Sequence, residues 1–266
     1  MPFQKPKKRF SQNFLTDKNI AGAIVDLLQV HPGETVFEIG TGRGILTRLL
    51  ADTGTNIFSF ELDRTLIDQL NRMFEGTPAV RIVNQDFLKV EPHDYHAGSF
   101  KLIGNIPYDI TSPLLEWMIV HRSSVTRAVI TAQEELADRI SSKPGSKNWA
   151  PLSIFCQCHF GIKKAMKIGP KAFYPPPKVN SATLLFEPRE LYRIDDWTAF
   201  EKIVRLSFAH RRKFLTNNLL ESDKLTRSVL EKVLDRLRWP PQIRAEEIDI
   251  EGFIRLTGEL KKIILS

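Results

Sequence analysis

Thr35-Val-Phe-Glu-Ile-Gly-Thr-Gly-Arg-Gly44 decides the fold: a β-branched and aromatic run breaks into three alternating glycines, and an apolar helical pattern starts at Ile45. Glycine permits a tight turn and lets a ligand approach the backbone, and the helix that follows presents unpaired amides at its N-terminus. A dinucleotide fingerprint would carry its third glycine one residue later, where Ile45 stands.

Outward from this turn, β-rich runs at 35–39, 56–62, 80–84, 101–104 and 128–131 alternate with helical patterns at 45–52, 65–73, 112–121 and 134–141. That spacing predicts a parallel sheet built through right-handed crossovers. Two further strand-like runs, 162–168 and 181–186, are joined by a Pro-rich loop and predict a terminal antiparallel hairpin. After Glu187-Pro-Arg189 only helical patterning remains, at 197–210, 226–236 and 251–264. The expectation is an α/β chain: a Rossmann-like, mostly parallel sheet in residues 1–190 and a small all-helical domain in 191–266.

Length and composition agree with two globular domains: 266 residues, 42% hydrophobic and 26% charged. The net charge of +7 leans toward a polyanionic partner. The longest apolar runs, such as 114–120, are broken by Glu116 and fall short of the ~20 residues a bilayer crossing needs. The N-terminal Met1-Pro-Phe-Gln-Lys-Pro-Lys-Lys-Arg9 lacks the apolar core of a secretory signal. Cys156 and Cys158 cannot complete a four-ligand zinc site, and both lie in the apolar run 152–160. They read as small buried hydrophobes of a reducing compartment, so the expectation is a cytoplasmic protein with neither metal nor membrane attachment.

Acids reinforce the glycine turn. Glu61 ends the second strand and Asp86 follows the third, both at the carboxyl edge where open α/β sheets bind ligands. A carboxylate there accepts hydrogen bonds from ribose hydroxyls. Gly40, Gly42, Glu61 and Asp86 together predict a nucleoside-like cofactor. The fourth strand then leads into Asn105-Ile-Pro-Tyr108, a turn beside the same pocket.

In that position the tetrapeptide resembles the Asn-Pro-Pro-Tyr-like loop of methyltransferases that modify exocyclic amines of bases, which implies S-adenosylmethionine as cofactor. An adenine amine is a poor nucleophile because its lone pair is delocalised into the ring, and two acceptors on its N–H groups would localise that pair. The resemblance assigns the acceptors to the Asn105 side-chain oxygen and the Ile106 backbone carbonyl, with Asn105 also near the cofactor. It gives Pro107 the task of stiffening the turn and Tyr108 that of stacking on the base. No general base of tuned pKa is then required, and placement supplies most of the catalysis.

Lys7-Lys-Arg-Phe-Ser-Gln-Asn-Phe-Leu15 resembles the N-terminal motif of the KsgA/Erm ribosomal RNA adenine dimethyltransferases, which implies cofactor contacts for Asn13 and Leu15. Read by itself, it is a basic tail followed by a helix cap near Thr16 or Asp17. Phe173-Tyr-Pro-Pro-Pro-Lys-Val-Asn-Ser181 resembles the same family and makes Phe173 the second face of a base sandwich with Tyr108. By itself it is a stiff hairpin connection. The stretches 208–219 and 244–253 are more similar to the KsgA branch than to the Erm branch.

The resemblance as a whole implies a class I methyltransferase sheet with a helical RNA-binding domain. It implies dimethylation of two adjacent adenosines in small-subunit ribosomal RNA during subunit assembly, by a monomer acting on the immature small subunit. Lys5, Lys7, Lys8, Arg9, Lys178, Arg211, Arg212 and Lys213 would then contact RNA phosphates. By themselves Arg211, Arg212 and Lys213 also suit a solvated helix end. Ser11 stands where the family has glycine, and Asp109 where asparagine is common. An Erm-type enzyme of the large subunit, a DNA adenine methyltransferase and a non-catalytic assembly factor of the same fold stay open as alternatives.

Overall fold

The computed structural model describes residues 12–106 and 110–264. In chain order its elements are β1 (Phe14–Leu15), α1 (Lys18–Leu28), β2 (Thr35–Ile39), α2 (Ile45–Ala51), β3 (Asn56–Phe60), α3 (Arg64–Met73), β4 (Val80–Val83), β5 (Phe100–Asn105), α4 (Thr111–Val120), β6 (Val125–Gln133), α5 (Glu134–Ile140), α6 (Pro151–His159), β7 (Phe160–Ile168), β8 (Phe173–Tyr174), β9 (Ser181–Pro188), α7 (Trp197–Ser207), α8 (Leu215–Leu219), α9 (Arg227–Leu237) and α10 (Ile250–Ile264). The described residues form a seven-stranded sheet in the order β4-β3-β2-β5-β6-β9-β7. Strands β4 to β6 run parallel, whereas β9 pairs antiparallel with both β6 and β7. The parallel sheet and terminal antiparallel hairpin read from the sequence are both present.

All five residues of β2 are buried, the signature of a parallel strand covered on both faces. Successive side chains alternate between those faces. On one, Val36 and Ile57 join Ile24, Leu28 and Leu50 in an aliphatic core under α1 and α2. On the other, Phe37 stacks on Phe100 at 4.1 Å, with Phe58 and Phe60 each 5.4 Å from it. Trp117 of α4 covers this aromatic face and donates its Nε1–H to the Val90 carbonyl at 3.0 Å. The sheet is thereby clamped from both sides, and its strand ends are fixed.

At the far edge, Glu134 accepts from Lys164 at 3.1 Å, from Lys167 at 2.9 Å and from Asn180 at 3.1 Å. Hydrogen bonds from Lys167 and then Lys164 hold its carboxyl down at about 2. Asn180, at the end of the Pro-rich connection between β8 and β9, is thus held by the Glu134 side chain and also by the Glu134 amide, which donates to the Asn180 carbonyl at 3.0 Å.

The chain divides into two compact units, one holding the residues up to Ala137 with Phe160–Pro188, the other Asp138–His159 with Arg189–Ser266. The helical unit therefore includes α6, which the boundary near residue 190 placed with the sheet. Phe155 of α6 packs on Trp197 and Phe200 at 5.7 and 6.5 Å, and Trp149 donates to the Ile248 carbonyl at 2.9 Å. Cys156 and Cys158 are buried and not joined by a disulfide, and burial pushes Cys158 up to about 12.

Helix α7 stops at Ser207, short of the 210 expected from its pattern. Buried Asn218 accounts for the stop: its Nδ2 donates to the carbonyls of Ser207 and His210 at 2.6 and 3.1 Å, and its Oδ1 accepts from the His210 amide at 3.1 Å. These bonds organise a turn at 208–214 in place of further helix. No helix among the described residues is long and apolar enough to cross a membrane.

Candidate active site

The carboxyl edge of the parallel strands carries a cavity of about 340 Å³ within the first unit. Its floor is the glycine turn after β2. Gly42 sits at φ 55°, a left-handed conformation open to glycine, and a Cβ there would come within 3.1 Å of the Phe14 ring. Glu61, at the end of β3, holds this turn. One of its oxygens accepts from the Gly42 amide at 2.8 Å, and the other accepts from the Asp63 amide at 2.8 Å. Burial raises the Glu61 carboxyl above its ordinary value, and the two amides pull against that rise.

Strand ends converge on the same point. Asn84 donates to the Glu61 carbonyl at 2.8 Å, and Asp86 accepts the Leu88 amide at 3.1 Å with one oxygen. Gly104 lets β2 and β5 close together, since a Cβ there would lie 3.0 Å from the Ile39 carbonyl oxygen. Asn105, the last residue of β5, is thus set beside the glycine turn. Its Nδ2 donates to the Asn13 carbonyl at 3.1 Å, which commits the amine end of the carboxamide to the backbone and leaves Oδ1 as the acceptor end.

A short ladder roofs this edge. β1 pairs antiparallel with β8, Phe14 opposite Tyr174 and Leu15 opposite Phe173, and the Thr16 amide donates to Ala172 at 2.8 Å. Alternation along β1 sends Phe14 into a cluster with Leu66, Leu70 and Phe74, and Leu15 into the aliphatic core. The helix cap predicted near Thr16 or Asp17 falls on Asp17, whose carboxylate accepts from the amides of Asn19 and Ile20.

Of the residues singled out from the sequence, Asn13, Leu15, Gly40, Gly42, Glu61, Asp86, Asn105, Ile106 and Phe173 all line this cavity. Pro107, Tyr108, Asp109, Lys5, Lys7, Lys8, Arg9 and Ser11 lie outside the described residues. Lys178 is exposed on the Pro-rich connection of the first unit, and Arg211, Arg212 and Lys213 are exposed on the turn between α7 and α8 of the second. Lys213 and His210 meet Glu221 there, at 3.2 and 2.6 Å. The turn places these side chains beyond the helix, not at its last residues.

Glu38 is the main site residue that the sequence reading passed over. It lies inside β2, is 1% exposed, and faces the cavity. One oxygen accepts from Thr47 and Ser59, each at 2.6 Å, while Oε1 has no hydrogen-bond partner among the described residues. Burial pushes this carboxyl up to about 7, against the pull of the two hydroxyls. Its signal was an acid in an otherwise apolar strand, in register with Ser59 on β3. Arg43, Phe14 and Gln12 also line the cavity unannounced, and Gln12 donates to the Asp63 carboxylate at 3.1 Å. Among the described residues no group of three or more His, Cys, Asp or Glu side chains could hold a metal ion.

Residues 3–261 match the family described as Ribosomal RNA adenine dimethylase. The chain is 40% identical over 265 residues to "Ribosomal RNA small subunit methyltransferase A" of Francisella tularensis subsp. novicida, covering 96% of this chain and 98% of that protein. The relative of the same name from Francisella tularensis subsp. tularensis gives the same figures, 40% identity with coverages of 96% and 98%. Among solved structures, the 23S rRNA methyltransferase ErmE superposes with a TM-score of 0.72 at 28% identity, covering 94% of this chain and all of that one. A dimethyladenosine transferase from Plasmodium falciparum reaches a TM-score of 0.80 at 23% identity, covering 94% and 98%, and shares the fold. With the match covering residues 3–261, the chain belongs to the ribosomal RNA adenine dimethylase family.

Proposed function

We propose that this chain transfers methyl groups from S-adenosylmethionine to the exocyclic amines of two adjacent adenosines in small-subunit ribosomal RNA, during assembly of that subunit. The observation that carries the chemistry is Asn105, held by its Nδ2 so that Oδ1 is the end free to accept, beside a glycine turn in the same cavity. Support for the small subunit comes from 40% identity, over nearly the whole chain, to proteins named for that substrate.

The residues present fit the cofactor. A buried carboxyl with an unpartnered oxygen suits a cationic amino acid group, and Glu38, which lines the cavity, has such an oxygen in Oε1. Glu61 retains lone pairs for ribose hydroxyls after accepting its two amides. Asp86, Asn13 and Leu15 would complete the walls. When bound, S-adenosylmethionine supplies an electrophilic methyl group on a sulfonium centre.

The chain's own residues then act on the amine. Asn105 Oδ1 and the Ile106 carbonyl take its two N–H groups, draw the nitrogen toward tetrahedral geometry and localise its lone pair. Phe173 lines the cavity from the aliphatic core, where a base turned out of its stack would pack against it. Once methylated, the cationic amine is strongly acidic and releases its proton to water, so no side chain need act as base. Orientation supplies most of the rate. Exposed Arg211 and Arg212 suit RNA phosphates, as does Lys178.

Labelled cofactor offered to immature small subunits, mature large subunits, naked DNA and no substrate tests this reading, with Asn105→Ala in parallel. Label should enter immature small subunits. Asn105→Ala should keep its cofactor affinity and lose turnover by about 10²-fold or more, as for removal of one preorganised transition-state contact. Label confined to large subunits or to DNA overturns the substrate, and label in none overturns catalysis in favour of a binding role.

A further inference from the structure

Arg43 is the second of the two non-glycine residues of the glycine turn and lines the cavity, yet nothing in the proposed chemistry uses it. Its guanidinium lies 4.8 Å from the centre of the Phe14 ring and 5.3 Å from that of Tyr174. Those two residues are opposite each other in the β1–β8 ladder, so one planar cation spans the ladder from the glycine turn. Phe14 also rests against Gly42, where the smallest side chain would come within 3.1 Å of its ring. The peptide that joins Asn13 to Phe14 carries the Asn13 carbonyl, and that carbonyl accepts from Asn105 Nδ2 at 3.1 Å.

We infer that Arg43 is a positioning residue for Asn105: by stacking on Phe14 and Tyr174 it fixes the Asn13–Phe14 peptide, and that peptide fixes which end of the Asn105 carboxamide meets the substrate amine. The physical reason is the symmetry of a carboxamide. Rotated by half a turn, Asn105 would present an N–H donor to an amine that offers only N–H groups, and the acceptor would be lost. A single backbone carbonyl selects the productive orientation, and the ladder that starts at the next residue has only two residues in each strand. So short a ladder needs side-chain anchoring: Leu15 and Phe173 are held in the aliphatic core, and Arg43 adds a hold on Phe14 and Tyr174 from the glycine turn.

The inference rests on Asn105 being the amine acceptor, and the test separates the two. Arg43→Ala, Arg43→Lys, Phe14→Leu, Asn105→Ala and the Arg43→Ala/Asn105→Ala double variant are compared with the unaltered chain, using full-length protein and immature small subunits. Turnover at saturating cofactor, cofactor affinity by calorimetry, and hydrogen–deuterium exchange of residues 13–16 are measured.

Arg43→Ala should lower kcat about tenfold, equivalent to about 1.4 kcal/mol, and speed exchange in 13–16. Phe14→Leu should do the same by removing the ring and keeping an apolar side chain. Arg43→Lys should recover only part of the loss, since an ammonium lacks the planar face that stacks. In single-turnover runs the double variant should be no slower than Asn105→Ala alone.

An inactive Asn105→Ala beside an Arg43→Ala of unchanged kcat and unchanged exchange overturns the positioning role and leaves the acceptor reading standing. A double variant slower than Asn105→Ala by the full Arg43 factor also overturns it. Wild-type turnover in Asn105→Ala overturns the acceptor reading and the inference with it.

Discussion

The glycine-turn edge of the first unit and the basic turn of the second both use side-chain carbonyl or carboxylate oxygens to hold backbone amides, to opposite ends. Glu61 grips the Gly42 and Asp63 amides at 7% exposure, so the charge that does the holding is itself buried and its proton affinity altered. Asn218 grips the turn at 208–214 with three bonds from a neutral carboxamide, and the charges it displays, Arg211 and Arg212, point into water. Burial makes a group selective and pH-sensitive, because desolvation separates its charged and neutral forms in energy. Exposure leaves a charge screened by salt and indifferent to detail, which suits contact with a phosphate backbone.

The sharpest way to break this contrast is Glu61→Ala. It strips two amides of their acceptor at about 1–3 kcal/mol each, so thermal melts should show a large loss of stability, and cofactor affinity should fall by about 10²-fold. Unchanged affinity would mean that the buried acid is only scaffolding. Next in size is Asn218→Leu, which leaves backbone groups of the second turn unpaired. A loss of about 2–3 kcal/mol in denaturant unfolding, with weaker RNA binding and unaltered cofactor affinity, would show that the two regions fail separately.

Arg211→Gln with Arg212→Gln should leave stability alone and weaken RNA binding. The slope of log affinity against log salt should become shallower by about 0.7–0.9 for each phosphate contact removed. A salt slope equal to that of the unaltered chain would remove both residues from the interface.

Glu38→Gln should have the smallest effect at any one pH and the clearest signature across pH. The folded Glu38 holds its proton up to about 7, whereas an unfolded glutamate releases it near its ordinary value of 4.5. The unfolded chain thus binds fewer protons between those values, and stability falls as pH rises through the window. The stabilising contribution is complete below about 4.5 and gone above about 7. Glu38→Gln should flatten that part of the curve in denaturation series at pH 5 to 8. It should also abolish any tightening of cofactor binding as pH rises through 7, since the ionised carboxyl is the form that attracts a cation. A curve for Glu38→Gln that parallels the unaltered chain would place the titration elsewhere.

Much of the first unit was legible because glycine punctuates it. The break at Gly40 gives β2 its end and α2 its start, and buried parallel strands such as Val36–Ile39 read as apolar runs whatever the surrounding structure. What escaped was either too short or too uniform. β1 and β8 have two residues each, and two residues have no periodicity. Along 151–159 buried positions follow one another at 153–156, so neither a helical stripe nor a strand alternation stands out, and α6 passed as a featureless apolar run. The sequence after Ser207 continues in residues that a helix tolerates, and the stop comes from Asn218, a contact eleven residues on. At the site, residues on loops with glycine or acid signatures were found, whereas Glu38 was hidden by its apolar neighbours. Arg43 escaped for a different reason: its partners Phe14 and Tyr174 are adjacent only after the ladder forms.

That ladder has a consequence for the order in which the protein comes into being. Thr16 is joined to Ala172 across 156 positions of sequence, so β1 leaves the ribosome long before its partner β8. The glycine turn, the acids and Asn105 are all synthesised long before the roof can close, and residues 138–159 of the second unit emerge in between. A nascent chain therefore carries the cavity's floor without its cover, and the closure entropy of so long a loop is met only when β8 emerges. The cover over the cavity is completed only after β8 has been made, late in the synthesis of the first unit.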